Sequence, residues 1–253
     1  MTEASDRVLV ADACRVLAAR GLSDGVLGHV SLRVDEERLL IRCRGPHERG
    51  LAWTTPEDIR LVTLDGAEGA PGELDGYSPP NELPLHTEVL RSRPSVTSVV
   101  HAHPPSVVAA DLAGIAIRPI VGAYDIPGAA LARAGVPVYE RGVLIRDREL
   151  AGEMVTAMGE RPVVLLRGHG LTSSAAGVAQ AVLQAVSVDR IAALSLWVRA
   201  GGGEPAELPA ADLDQLPDLG SGFTVAVAWR HELARLGDTA VGPVHPFRLG
   251  SSS

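Results

Sequence analysis

Cysteine is nearly missing from this chain. Cys14 and Cys43 are its two copies, which excludes a disulfide framework, and their spacing matches no zinc-binding signature. Aromatic residues are also scarce, at 3% of 253 residues, so a core has to be built from Val, Leu, Ile and Ala. Positive charge is in deficit: the formal net charge of −8 argues against a general nucleic-acid binder, which needs a basic face. A local cluster of Arg and His can still hold an anionic small molecule. No apolar run reads as long enough to span a membrane. The start, Met1-Thr2-Glu3-Ala4-Ser5-Asp6, has neither the basic nor the apolar region of a signal peptide. The expectation is a cytoplasmic protein with no nucleic-acid and no membrane partner.

Apolar residues are abundant, at 46%, and supply a core for one large domain or two small ones. Residues 5–19 read as a helix stopped by Gly21, followed by strands over 26–34 and 38–43. Thr55-Pro56-Glu57-Asp58 has the form of a short helix start and runs into a strand over 59–64. A Gly- and Pro-rich loop over 67–80 leads to a helix over 82–92. Further helices are expected over 106–112, from Asp147 to Met158 and over 175–199, with strands over 98–103, 117–121, 136–139 and 162–166. Beyond Gly201 one more helix is expected near 223–236, and the end, 249–253, is expected to be mobile. There is no repeat and no clean βαβ rhythm, so the fold class is mixed α/β, with a catalytic body over 1–200 and a C-terminal extension over 201–253.

The most informative segment is Ser98-Val99-Val100-His101-Ala102-His103-Pro104-Pro105. Its apolar, β-branched start reads as a buried strand, and residues i and i+2 of a strand leave the same face. His101 and His103 therefore point together where the two prolines end the strand. Neutral imidazole is the commonest protein ligand for a transition metal, and such a pair can supply two of the three ligands of an open catalytic site. A third imidazole is available in Leu165-Leu166-Arg167-Gly168-His169-Gly170, where flanking glycines let the backbone turn tightly. Glu82 and His86 are four residues apart and share a helix face. A carboxylate at Glu82 can serve as a metal ligand or as a proton carrier, and spacing alone does not choose. His47, His231 and His245 read as surface residues.

Together these segments resemble the class II aldolase/adducin superfamily. The matching stretches are Glu82 to His86, Arg93 to His103 and Leu165 to Gly170, with Gly28-His29-Val30-Ser31 and Thr55-Pro56-Glu57-Asp58-Ile59 as further matches. The resemblance covers residues 5–200. It implies a single-domain fold with a central, mainly antiparallel β-sheet flanked by helices, and a homotetramer with sites at subunit interfaces. It implies one divalent transition metal per subunit (Zn, Mn, Fe or Co) on His101, His103 and His169, with Glu82 as the catalytic acid/base.

Departures from the sugar-phosphate aldolases of that superfamily point to a different substrate. The small donors that wrap a phosphate are replaced by His29, by Arg44 beside Gly45, and by Pro80-Asn81. A guanidinium and an imidazole suit a carboxylate. This pattern resembles the decarboxylase branch, which implies a hydroxylated aromatic ortho-dicarboxylate, with 3,4-dihydroxyphthalate the expected substrate. Substrate contacts are then expected from His29, Arg44, Gly45, Asn81 and, by resemblance to a tyrosine that reaches a neighbouring subunit, Tyr124. An aldolase acting on a non-phosphorylated hydroxy-keto acid is the alternative reading. A metal-free, adducin-like interaction protein is a more remote one, since such chains lack the three histidines.

Overall fold

The computed structural model describes residues 2–218 and 221–237. A first helix, α1 (Glu3–Ala19), starts from Thr2, whose hydroxyl accepts the Ser5 N–H. Next come β1 (His29–Arg33), β2 (Arg38–Arg42), a 3-10 turn at Pro56–Asp58 and β3 (Ile59–Thr63). The helix α2 (Leu83–Ser92) leads into β4 (Ser98–Ala102), α3 (Pro105–Leu112) and α4 (Ile126–Ala132). Then follow β5 (Val138–Tyr139), α5 (Arg148–Met158), β6 (Val163–Leu166), β7 (Gly170–Ala175) and the long α6 (Val178–Ala200). Two helices of the extension, α7 (Ala210–Asp214) and α8 (Ser221–Gly237), complete the described chain. The expected mobile end and His245 lie outside the described residues.

The seven strands form one sheet in the order β3-β2-β1-β4-β7-β6-β5. Every pairing is antiparallel except β5 with β6. Successive strand residues face opposite sides, and the sheet is covered on both. Val30, Leu32, Val100, Ala102 and Leu171 pack under α1, α3 and α6. Leu39, Ile41, Val99, Val164 and Leu166 pack under α2 and α5. The chain is therefore a three-layer α/β structure, with β1, β4 and β7 at its centre. The extension packs back on the same body: α8 lies against α1 and α6, Trp229 is buried, and Arg20 Nε donates to Glu232 Oε2 at 2.7 Å.

Several elements differ from the sequence reading. The strand expected over 117–121 does not form, although Ile117 is fully buried; Pro119 has no N–H to give a ladder. Helix α4 went unread because it is seven residues of small and apolar side chains with Pro127 in its first turn. β7 is Gly-Leu-Thr-Ser-Ser-Ala, and its six residues are all buried. Polar residues there hid the strand, yet the fold satisfies two of them: Ser173 Oγ donates to the Ala181 carbonyl at 2.9 Å, and Ser174 Oγ to that of Pro162 at 3.3 Å. Finally, α6 is long and apolar enough to cross a bilayer, contrary to expectation. Its Val182, Ala185, Val188 and Ile191 are buried inside the protein, which makes it the core helix.

Candidate active site

Glu82, His101, His103 and His169 converge. One donor atom from each lies within 4.8 Å of all the others. His101 leaves the end of β4 on the α2 side of the sheet, and His103 follows one residue beyond the strand. Their Nε2 atoms are 2.8 Å apart. The backbone holds His103 in place, its N–H bonding the Leu22 carbonyl at 2.9 Å and Ser23 Oγ at 3.2 Å. His169 sits in the turn between β6 and β7. The three rings meet edge to face, with centroids 4.6–4.9 Å apart and interplanar angles of 70–89°, so their nitrogens converge without the rings stacking.

The two glycines of the Gly168-His169-Gly170 turn act differently. Gly168 has φ +59°, a conformation that side chains with a Cβ adopt at a cost. Gly170 has an ordinary backbone but allows β7 to approach β4: a Cβ there would lie inside the Ala102 carbonyl oxygen and 3.0 Å from His103 Cα. Asp111, buried at the end of α3, holds the same turn. Its Oδ1 takes Arg167 Nη1 and its Oδ2 takes the Gly168 N–H, both at 2.7 Å. Sequence reading missed Asp111; a lone acid in the apolar run Pro105–Leu112 was the available signal.

Glu82 is the residue that precedes α2 rather than a member of its first turn. Its Oε1 accepts the Ile145 N–H at 3.1 Å. That fixes the carboxylate with Oε2 facing His101 Nε2 at 3.2 Å and His169 Nε2 at 3.7 Å. Burial works against its charge, but the His101 and His169 imidazoles facing its Oε2 and the Ile145 N–H on its Oε1 together outweigh burial. They hold the carboxyl down to about 2. His103 is pushed down to about 3 and His169 is lowered too, in both cases by burial first and then by His101. Neutral imidazoles and an ionised carboxylate are the forms that ligate a cation. The His101 Nδ1 faces the Leu171 carbonyl at 3.1 Å, which puts its proton on Nδ1 and leaves Nε2 free as a donor atom. Three nitrogens and one oxygen of this kind fit a divalent transition ion.

His29, the register partner of His101 in β1, stands beside this cluster with its ring centroid 5.0 Å from that of His101. Its Nδ1 is 2.7 Å from Nε2 of His86, and His86 Nδ1 is 2.7 Å from Ser31 Oγ. His86 is fully buried. The helix spacing that pairs Glu82 with His86 thus serves two neighbours: Glu82 faces the end of β4 and His86 faces β1. Arg44 and Asn81 are exposed, and Arg44 bonds through its main chain to Ser78 at 2.9 Å. Gly45 leaves room for the Tyr77 ring, and Tyr124 is 69% exposed. Arg42, at the end of β2, is buried and held by Thr54 Oγ1 at 3.1 Å and Glu48 at 2.6 Å. A cavity of about 720 Å³ lies elsewhere, between α4, α6 and α8, lined by Asp125, Gln184, Arg190 and Glu232 among others. None of the four converging donors lines it.

A three-layer fold with three imidazoles and a carboxylate gathered at the end of its central strands is a metal-dependent enzyme scaffold. The chain belongs to the class II aldolase and adducin family: residues 8–196 match the class II aldolase and adducin N-terminal domain. It is 74% identical to a 3,4-dihydroxyphthalate decarboxylase of Terrabacter sp. (strain DBF63), over 92% of this chain and 98% of that one. Identity is 66% to an enzyme of the same description from Arthrobacter keyseri, over 93% and 96% of the two chains. Among solved structures, an aldolase II superfamily protein from Pseudomonas syringae superposes with a TM-score of 0.77 at 21% identity, covering 95% of each chain. That likeness shows the fold.

Proposed function

We propose that the protein is a carboxy-lyase that converts 3,4-dihydroxyphthalate to 3,4-dihydroxybenzoate and carbon dioxide. The observation that carries this reading is the 66–74% identity, over more than nine-tenths of both chains, to two enzymes described by that activity. His101, His103 and His169 would hold a divalent ion, with Glu82 beside them. When bound, the ion supplies a Lewis acid that draws electron density onto substrate oxygens.

The residues themselves do the rest. Loss of carbon dioxide leaves an electron pair on a ring carbon, and a proton has to replace the departing group. Glu82 Oε2 is the oxygen turned toward the cluster, the other being tethered to the Ile145 N–H. It takes a proton from solvent and delivers it to that carbon. Glu82 and His101 are buried while His103 and His169 are half-buried, so the cluster opens to solvent on the side of the latter two, which is the route for that proton. Arg44, Gly45, Asn81 and Tyr124 are assigned to substrate contacts on the resemblance. The exposure of Arg44, Asn81 and Tyr124 fits a site closed by neighbouring subunits of a homotetramer. In this reading 1–200 is the catalytic body, and 201–253 is an extension packed on it.

The test is carbon dioxide release and product identification with purified, metal-analysed protein, before and after chelation. Release of one carbon dioxide per ring, lost on chelation and restored by metal, supports the reading. Metal-replete protein that leaves 3,4-dihydroxyphthalate intact overturns it.

A further inference from the structure

The cavity between α4, α6 and α8 stands apart from the catalytic cluster, and its walls have a chemistry of their own. Ile126 and Leu131 of α4, Leu183 of α6, Val225 of α8 and, ahead of that helix, Leu213 and Leu216 supply apolar surface. Three arginines and three acids also line it, and the ion pairs there are formed within the chain. Arg190 Nη1 donates to Asp125 Oδ2 at 2.6 Å, while Asp125 Oδ1 caps α4 by accepting the Gly128 N–H at 2.9 Å. Both Glu232 oxygens accept from Arg20, and Arg133 pairs with Asp214. Gln184 meets Ser173 Oγ at 2.9 Å. Among the described residues, no buried side-chain nitrogen or oxygen without a partner lines this space.

We propose that this cavity is a second ligand site, separate from the catalytic one, for a neutral and mainly apolar molecule with the bulk of two or more rings. Its volume of about 720 Å³ falls inside the range of roughly 300–1,000 Å³ that holds such ligands. Charge decides for neutrality. An anion would have to draw an arginine away from its acid and leave that acid unpaired, and a buried charge without a partner is costly. A cation would strand an arginine in the same way. This argument also bars a dicarboxylate, so the cavity is no second copy of the substrate site, and it holds whatever reaction the catalytic cluster performs. A molecule bound there touches α8 on one side and α4 and α6 on the other. It fastens the extension to the body, next to the Arg20–Glu232 pair that lines the same space.

The test uses two fluorescent probes with one ring skeleton: phenylnaphthylamine, which is neutral, and anilinonaphthalene sulfonate, which adds one negative charge. Metal-loaded protein is titrated with each. The expected result is saturable binding of phenylnaphthylamine, with the sulfonate bound about tenfold or more weakly, the effect of one charge left without a partner. Tm should rise with phenylnaphthylamine concentration, as for any ligand that binds the folded chain alone. Dihydroxybenzoate, an anion, should not displace the probe. Ala228→Trp fills the cavity from α8 and Ala130→Trp narrows it from α4; each should abolish saturable binding and leave metal content unchanged. If Ala228→Trp does not fold, Ala130→Trp, at the more exposed position, decides. No saturable binding, equal affinity for the two probes, displacement by dihydroxybenzoate, or binding that survives the tryptophans overturns the proposal.

Discussion

Replacing Gly170 with alanine tests how tightly the site depends on the spacing of β4 and β7. The added Cβ would sit 3.0 Å from His103 Cα and 3.1 Å from the Ala102 carbonyl carbon, besides meeting the Ala102 oxygen. Carbon atoms pack at about 3.5–4.0 Å, and both neighbours are backbone, so no side-chain rotation relieves the clash. The strands have to part by about 0.5–1 Å. Overpacking of this kind costs about 1–3 kcal/mol, and the upper half of that range applies because the contacts are main chain. For a chain of this size it corresponds to a drop in Tm of roughly 4–12 °C.

The same displacement separates His103 from His169, one on each side of the gap. A shift of about 1 Å at a reacting centre can cost about 100-fold in rate, and a disturbed ligand frame about 10–100-fold in metal affinity. Differential scanning fluorimetry and metal titration read the two effects on one preparation. Gly168→Ala is the control: its Cβ meets only Leu112 Cδ2 at 3.7 Å, and its positive φ costs about 1–2 kcal/mol without pushing the strands apart. It should lose stability and keep most of its metal affinity. A Gly170→Ala protein with wild-type Tm and wild-type metal affinity would refute the close-approach argument.

Glu82→Gln keeps shape but cannot carry the proton. It should fold and lose about 100- to 10,000-fold in turnover, and near-normal rates in a carbon dioxide assay would remove Glu82 from that role. Asp111→Ala frees the turn that carries His169 and should weaken metal binding by about 10–100-fold, measured by competition with a chelator. Gly152, inside α5, has nothing within 4 Å of an added Cβ; Gly152→Ala should stabilise the protein by about 0.5–1 kcal/mol, and a lower urea midpoint would contradict the open space. Acid should act on the metal-free protein through His86, held down to about 3 chiefly by burial. A folded pKa below the unfolded value of about 6.5 means its contribution is complete above pH 6.5 and declines as pH falls toward 3. The loss is at most about 1.4 kcal/mol per pH unit for such a group, and urea midpoints that stay level from pH 7.5 to 5 would refute it.

The parts of the site that were legible in the sequence are those whose chemistry follows a local rule. His101 and His103 obey the two-residue period of a strand, and the prolines after them mark its end. His169 was visible from its glycines, although only Gly168 is there for a turn; what Gly170 does depends on a strand seventy residues away and has no local signature. Glu82 and His86 were paired by helical spacing, which is right for position but silent on partners, because the sheet decides that one faces β4 and the other β1. Ser31 and Asp111 became functional neighbours only through packing. Arg44 was chosen as the substrate-side arginine for its charge in a loop, yet two residues earlier Arg42 is the one buried beside His29's strand. Arg42 is the last residue of β2 and is buried with the strand, whereas Arg44 lies beyond its end, and the composition of the loop does not reveal where the strand stops.

The electrostatics of the site follow from crowding. Five imidazoles, His29, His86, His101, His103 and His169, are linked by ring contacts 4.6–5.0 Å apart around one carboxylate. A proton added to one ring raises the cost of a proton on the next. Burial acts in the same direction, and His29, His86, His103 and His169 are all driven toward the neutral form. Glu82 is driven the opposite way and stays ionised. The result is a buried group of lone pairs with one fixed negative charge, which disfavours several bound protons and favours a single compact cation. Glu82 stands just before α2 and His86 inside it, so the start of that helix couples this cation-seeking cluster to His29, whose Nδ1 is 2.7 Å from His86 Nε2. A substitution that displaces the start of α2 should therefore disturb metal affinity and the His86–His29 contact together.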